Sequence, residues 1–216
     1  MKKDVVVCIG TVGRPTFKRC FDHVIRLKNF DSRVKHVEVI RDHPSQASWL
    51  NAMAKKSEGF TWCLQVDEDM YLEENCVDVL MSLSRKKESD GLQILNSSGL
   101  LFDLFLKQKI GSIKLWRSSA IRKLGFVDTM GVDREIYRRA KKFGYSNVQT
   151  NDVLGLHDSA PTVDIGISKY YTYVKKIIKF DSANKAKNFI LDMQKKGLDQ
   201  KIVDSAWRAY NENADS

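Results

Sequence analysis

Thr61-Trp62-Cys63-Leu64-Gln65-Val66-Asp67-Glu68-Asp69 sets a short apolar run directly against three carboxylates. Such a run, bounded by polar residues, reads as a strand buried in the interior of a sheet. The acids that follow it are costly to bury without compensation. A divalent cation supplies that compensation, and carboxylates suit Mg²⁺ and Mn²⁺, which typically also bind substrate phosphates. Strand alternation puts Asp67 and Asp69 on the same side, where both can face one ion. The plainer alternative is that the acids open the next helix and stay solvated, because a lone D-x-D recurs by chance.

Two similar units precede this stretch. Asp4 to Gly10 (DVVVCIG) is a β-branched strand ending in Gly, and Phe17, Cys20, Phe21, Val24 and Ile25 recur at helical spacing after Pro15. His36 to Ile40 alternates as a second strand, followed by a helix opened by Pro44-Ser45 and carrying Trp49, Leu50 and Met53. The third strand leads to a helix over Glu73 to Lys87, with acids at its start and bases at its end. Three strand–helix units in a row predict right-handed crossovers and an α/β, mostly parallel sheet flanked by helices. Ligands of such sheets bind beyond the carboxyl ends of the strands. That rule singles out Thr11 to Arg14, Arg41-Asp42 and Asp67 to Asp69.

Further on, Gly91 to Asn96 reads as a fourth strand and Gly111 to Trp116 as another, with a short helix ending at Gly125. The apolar segment Ser97 to Ile110 fits either a cover over the site or core. Asp133 to Phe143 is a helix with Gly144 just past its end. A strand-like run then closes on His157-Asp158. Beyond Pro161 the composition shifts: Lys169 to Phe180 mixes aromatics with lysines, and two helical stretches follow. The expected organisation is a domain over 1–160 and a helical appendage over 161–216.

The 216 residues are 43% hydrophobic and 29% charged, an ordinary globular balance. Cys8, Cys20, Cys63 and Cys76 form no C-x-x-C pair, so they read as buried free thiols suited to a reducing cytoplasm. The start Met1-Lys2-Lys3-Asp4 has a signal peptide's charge, but its apolar run is too short for one. A net charge of +9 and a pI near 9.3 favour anionic partners such as nucleotide phosphates. The basic residues are spread along the chain without a nucleic-acid-binding signature, so nucleic acid is not the expected partner.

Taken in order, these pieces resemble the GT-A fold glycosyltransferases of the large inverting family 2, from about Asp4 to Asp158. Thr11-Val12-Gly13-Arg14-Pro15 is similar to that family's nucleotide-binding turn, and Asp42 to its nucleobase- or ribose-contacting acid. Asn51 through Glu58-Gly59 to Asp67-Glu68-Asp69 resembles its approach to the D-x-D motif. Gly111-Ser112, Trp116-Arg117, Gly125-Phe126 and Asp133 before a helix ending Lys-Lys-Phe-Gly resemble its acceptor half. The chain departs where the family commonly has Glu-Asp, here Val132-Asp133, and where a Pro commonly follows the first strand, here Gly10-Thr11.

The resemblance implies a transfer from a nucleotide-diphosphate-sugar to a hydroxyl of a glycan or glycolipid, with Mn²⁺ or Mg²⁺ as cofactor. Asp67, Asp69 and His157 would hold the metal, and Thr11, Arg14, Asp42 and Asp67 the donor. Asp133 would be the general base; the competing reading is a helix N-cap. His157 has a structural alternative, Arg14 a surface one, and Asp42 reads equally as a turn residue in Asp42-His43-Pro44. A sugar-nucleotide pyrophosphorylase or a non-catalytic nucleotide-sugar-binding module are the alternative functions. The expected location is cytoplasmic, with peripheral membrane contact through the aromatic–lysine stretch as one option and burial of its aromatics as the other.

Overall fold

A computed structural model describes residues 3–129 and 131–214. Met1 and Lys2, which carry part of the N-terminal charge, lie outside them. The chain forms two compact units, Met1–Phe102 with Lys109–His157, and Asp103–Gln108 with Asp158–Ser216.

The first unit is an α/β sheet flanked by helices. Strand β1 (Lys3–Thr11) leads through α1 (Phe17–Phe30) to β2 (Val34–Arg41), then through α2 (Gln46–Lys56) to β3 (Phe60–Asp67). Strand β1 pairs in parallel with both β2 and β3, as expected for successive crossovers. A short strand β4 (Met70–Leu72), α3 (Cys76–Ser89), β5 (Gln93–Asp103), β6 (Gln108–Arg117), α4 (Ser118–Leu124), α5 (Val132–Lys142) and β7 (Tyr145–His157) follow. The sheet order is β2-β1-β3-β6-β5-β7-β4, and β6 pairs antiparallel with β3.

Period-two alternation distributes β1 between two cores. Val5, Val7 and Ile9 pack with Cys20, Val24 and Leu27 of α1 and Val77, Leu80 and Met81 of α3. Val6 and Cys8 pack on the other face with Leu50 and Met53 of α2, Ile121 of α4 and Ile136 of α5. A strand covered on both faces has no polar side to show, which explains why DVVVCIG is unbroken. All four cysteines are free and buried.

Two details differ from the sequence reading. The segment 97–110 is largely core, but as parts of two strands rather than an element of its own. It completes β5, turns at 104–107 and begins β6. Four residues cannot carry a parallel crossover, so the two strands form a hairpin. Strand β4 was not anticipated, because three residues show no period. It pairs antiparallel with the end of β7, with Met70 opposite His157 and Leu72 opposite Gly155.

The second unit holds α6 (Val163–Phe180), α7 (Ala183–Lys195) and α8 (Gln200–Asn213). Thr162, Ser182 and Asp199 cap them through their side chains. The aromatics of the aromatic–lysine stretch divide: Tyr170 is buried, stacks on Phe189 and packs at a tilt against Phe105, whereas Tyr173 and Phe180 are exposed. Among the described residues no helix is long and apolar enough to cross a membrane.

The β4–β7 contact depends on Gly155. A Cβ there would lie 2.6 Å from the Tyr71 carbonyl oxygen and 3.1 Å from Leu72 Cα, both backbone atoms that cannot swing aside. Gly155→Ala is expected to lower unfolding free energy by about 1–3 kcal/mol in urea melts. Gly111→Ala, with nothing within 4 Å of its Cβ position, should stay within about 0.5 kcal/mol of the native value. Equal effects of the two changes would contradict the close approach.

Candidate functional site

The pleat of β3 ends at Asp67, and residues 68 and 69 form a turn into β4. The directions of the acids are therefore set by their partners rather than by alternation. Glu68, only 4% exposed, turns toward the end of β1. Its carboxylate accepts hydrogen bonds from the Thr11 hydroxyl, the Val12 N–H (3.2 Å) and the Arg14 N–H (3.0 Å). The Gly13 N–H donates to Thr11 Oγ1 at 2.9 Å, with Gly13 itself at φ +83°. Glu68 N–H in turn donates to the Gly10 carbonyl at 3.1 Å. The middle acid of the triplet thus clamps the 11–14 turn onto the end of β3. Charge-assisted bonds of this kind satisfy a buried carboxylate without a metal.

Asp69 is also buried, at 5% exposure, but its partners are side chains. One oxygen lies 3.7 Å from Arg14 Nη1 and the other 3.4 Å from His157 Nε2. Arg14 reaches Glu68 as well, at 3.7 Å. His157 arrives here because β4 holds the last residue of β7 opposite Met70, the residue after Asp69. The unanticipated strand is what carries the histidine to the acids.

Asp67 lacks such close partners. Burial first, then the neighbouring Asp69 charge, push its carboxyl from 3.8 up to about 6, against the pull of Lys114 and His157. Lys114 stands on β6 opposite Gln65, so it shares the sheet face that Gln65 and Asp67 use. Its ammonium lies 2.9 Å from Asp133 Oδ2 and is held protonated by that carboxylate despite burial. Asp133 is the second residue of α5, whose N-cap is Gly131 and has no side-chain cap, so capping does not account for it. Its Oδ1 is shielded from solvent and has no hydrogen-bond partner among the described residues.

Arg14, Asp69 and His157 therefore meet directly, Thr11 is joined to them through Glu68, and Asp67 is coupled to Asp133 and Lys114 by their charges. Asp42 stands apart, just past the end of β2. The pairing of Thr11 with Arg41 brings it level with the 11–14 turn, where it is exposed at φ +56° and makes no hydrogen bond or ion pair among the described residues. An Asp tolerates that left-handed conformation better than most residues. Sequence reasoning assigned no role to Glu68 or Lys114. Glu68 was hidden between two acids of clearer meaning, and Lys114, flanked by Ile113 and Leu115, has the pattern of a solvent-facing strand residue.

Among the described residues, no three His, Cys, Asp or Glu side chains are clustered so as to hold a metal by themselves. The donor set still fits a divalent cation. Asp69 and His157 lie 3.4 Å apart, and burial together with the Asp69 charge raises the nearby Asp67 carboxyl, so in kind these oxygen and nitrogen donors suit Mg²⁺ or Mn²⁺.

No protein-family model and no curated protein matches the chain. Solved structures do. A mannosyltransferase from Pyrobaculum calidifontis, in complex with GDP-Man and Mn²⁺, superposes with a TM-score of 0.58 at 11% identity, over 97% of this chain and 73% of that one. Glucosyl-3-phosphoglycerate synthase from Mycobacterium tuberculosis, in complex with Mn²⁺, UDP-glucose and phosphoglyceric acid, gives 0.56 at 11% identity, over 82% and 79%. The same synthase with Mg²⁺ and UDP gives 0.56 at 12%, over the same shares. The fold of this chain is the GT-A fold of glycosyltransferases.

The raised carboxyl of Asp67 has a stability consequence with a definite sign. An acid whose folded value exceeds its unfolded one costs nothing below about 3.8, and its cost grows to a plateau above about 6. Asp67→Asn is therefore expected to raise the metal-free melting temperature at pH 7 by a few degrees. The gain should shrink toward zero at pH 4. A variant less stable than the native protein at pH 7 would contradict this.

Proposed function

We propose that this chain is a divalent-metal-dependent, inverting glycosyltransferase acting on a nucleotide-diphosphate-sugar. The observation that carries the reading is the meeting of Arg14, Asp69 and His157, within the field of Asp67, at the carboxyl ends of β1 and β3, where sheets of this kind bind ligands. The GT-A fold supports it, and so do the nucleotide-sugar and Mn²⁺ in the complexes of two proteins that share the fold.

In this reading the 11–14 turn, fixed by Glu68, receives the nucleotide, with Asp42 beside it for base or ribose. Arg14, half-exposed, meets the diphosphate. Asp67, Asp69 and His157 would hold Mn²⁺ or Mg²⁺, which when bound neutralises the charge that builds on the departing nucleoside diphosphate. Asp133 takes the proton from the attacking hydroxyl of a glycan or glycolipid acceptor. Lys114 pairs with its Oδ2 at 2.9 Å and so fixes the orientation of the carboxylate. As the hydroxyl oxygen bonds to the anomeric carbon, the bond from that carbon to the diphosphate breaks, with inversion.

Release of UDP from UDP-glucose, or of GDP from GDP-mannose, tests this cheaply with water standing in for the acceptor. Activity is expected with Mn²⁺ and none with EDTA. Asp133→Asn should lower turnover at least about a hundredfold while Mn²⁺-dependent binding of UDP or GDP survives. Turnover near the native level in that variant would remove Asp133 from the chemistry. Binding without turnover in the native protein would identify a nucleotide-sugar-binding module.

A further inference from the structure

Asp133 opens onto a cleft of ≈ 700 Å³ whose polar lining includes Ser98, Lys114, Arg134, Tyr137 and Gln149. That volume suits a small molecule or one terminal unit of a larger one. The cleft carries two cations and one carboxylate, and their pairing is uneven. Lys114 is committed to Asp133 at 2.9 Å. No carboxylate among the described residues pairs with Arg134, although Arg138 and Arg139 of the same helix both pair with Glu135.

Arg134 is also misplaced for the helix it stands on. It is the third residue of α5, where the partial positive charge of the helix end repels a cation. The rest of α5 obeys the dipole, with Asp133 and Glu135 in the first turn and Arg139, Lys141 and Lys142 in the last. No ion-pair partner among the described residues offsets the exception. Beside it, the Tyr137 hydroxyl accepts a hydrogen bond from Asn96 Nδ2 at 3.1 Å, which leaves its own proton to donate. Among the described residues, the cleft thus presents a guanidinium without an anion and, on Tyr137, a hydroxyl proton without an acceptor.

We infer that the acceptor is anionic: its reacting hydroxyl meets Asp133, and a phosphate or carboxylate carried close to that hydroxyl is gripped by Arg134 with help from Tyr137. The inference deepens the transferase reading and rests on it for the word acceptor. The anion site itself rests on Arg134 and the cleft. A guanidinium fork matches either group bidentately, so the shared chemistry is a planar pair of anionic oxygens.

The test uses three small probes, glycerol 3-phosphate, glycerate and glycerol, titrated into the full chain by calorimetry with Mn²⁺ and UDP present and again without them. Glycerol 3-phosphate, glycerate or both should bind, and glycerol should not. Arg134→Ala is expected to weaken the charged probes at least about tenfold, as loss of a charged hydrogen-bonding partner does. Arg134→Lys should restore part of that loss. The alanine variant should melt no lower than the native protein, since it relieves the dipole conflict. Equal binding of glycerol and the charged probes, binding of no probe, or charged-probe binding unchanged in Arg134→Ala would each overturn the inference. If UDP fails to bind with Mn²⁺, the donor reading falls, while the dependence of the probes on Arg134 still decides the anion site.

Discussion

Three carboxylates in succession at the end of an interior strand form the constraint around which this molecule is built. Each carries a charge that burial penalises by several kcal/mol unless something opposes it. The protein answers differently for each. Glu68 is satisfied internally by a hydroxyl and two backbone N–H groups of the 11–14 turn. Asp69 is shared between Arg14 and His157. Asp67 is left with the field of Lys114 and His157 alone, and its carboxyl rises to about 6. The D-E-D triplet is thus a division of labour, in which the middle acid builds the site and the outer two keep demand for positive charge.

That division explains how distant segments come to one place. Glu68 joins β1 to β3 across 57 residues of chain. The β4–β7 pairing then brings His157 to Asp69, at the cost of requiring Gly155 where the two backbones touch. Strand β6 sets Lys114 on the face of Asp67, and α5 sets Asp133 on Lys114. The same chain of contacts stores instability at the site, because an uncompensated carboxyl and an unpartnered Oδ1 are tolerated only where the surrounding cores hold them. Sites that bind charged ligands commonly trade stability in this way.

Much of this could be read without coordinates, for identifiable reasons. DVVVCIG and TWCLQV are unbroken apolar runs because helices cover both faces of their strands. The Thr11 and Asp67 ends followed from the rule for parallel sheets. Strand β4 was invisible because three residues have no period, and its absence made the place of His157 rest on family likeness alone. The 97–110 segment defeated periodicity because β5 is buried almost throughout and reads like core of any kind. Glu68 and Lys114 went unassigned because their roles depend on contacts far away in sequence. Asp133 was legible as an important acid, but its ion pair with Lys114, rather than a cap, emerged only from the fold.

The central claim is that Asp67 and Asp69 keep charge for a cation shared with a diphosphate. Calorimetric titration of UDP and GDP with and without Mn²⁺, on the native chain and on Asp67→Asn and Asp69→Asn, tests it most directly. The account requires nucleoside diphosphate binding that needs the metal in the native chain and is lost in both variants. Binding of equal strength in EDTA, or undiminished in the two variants, would contradict it.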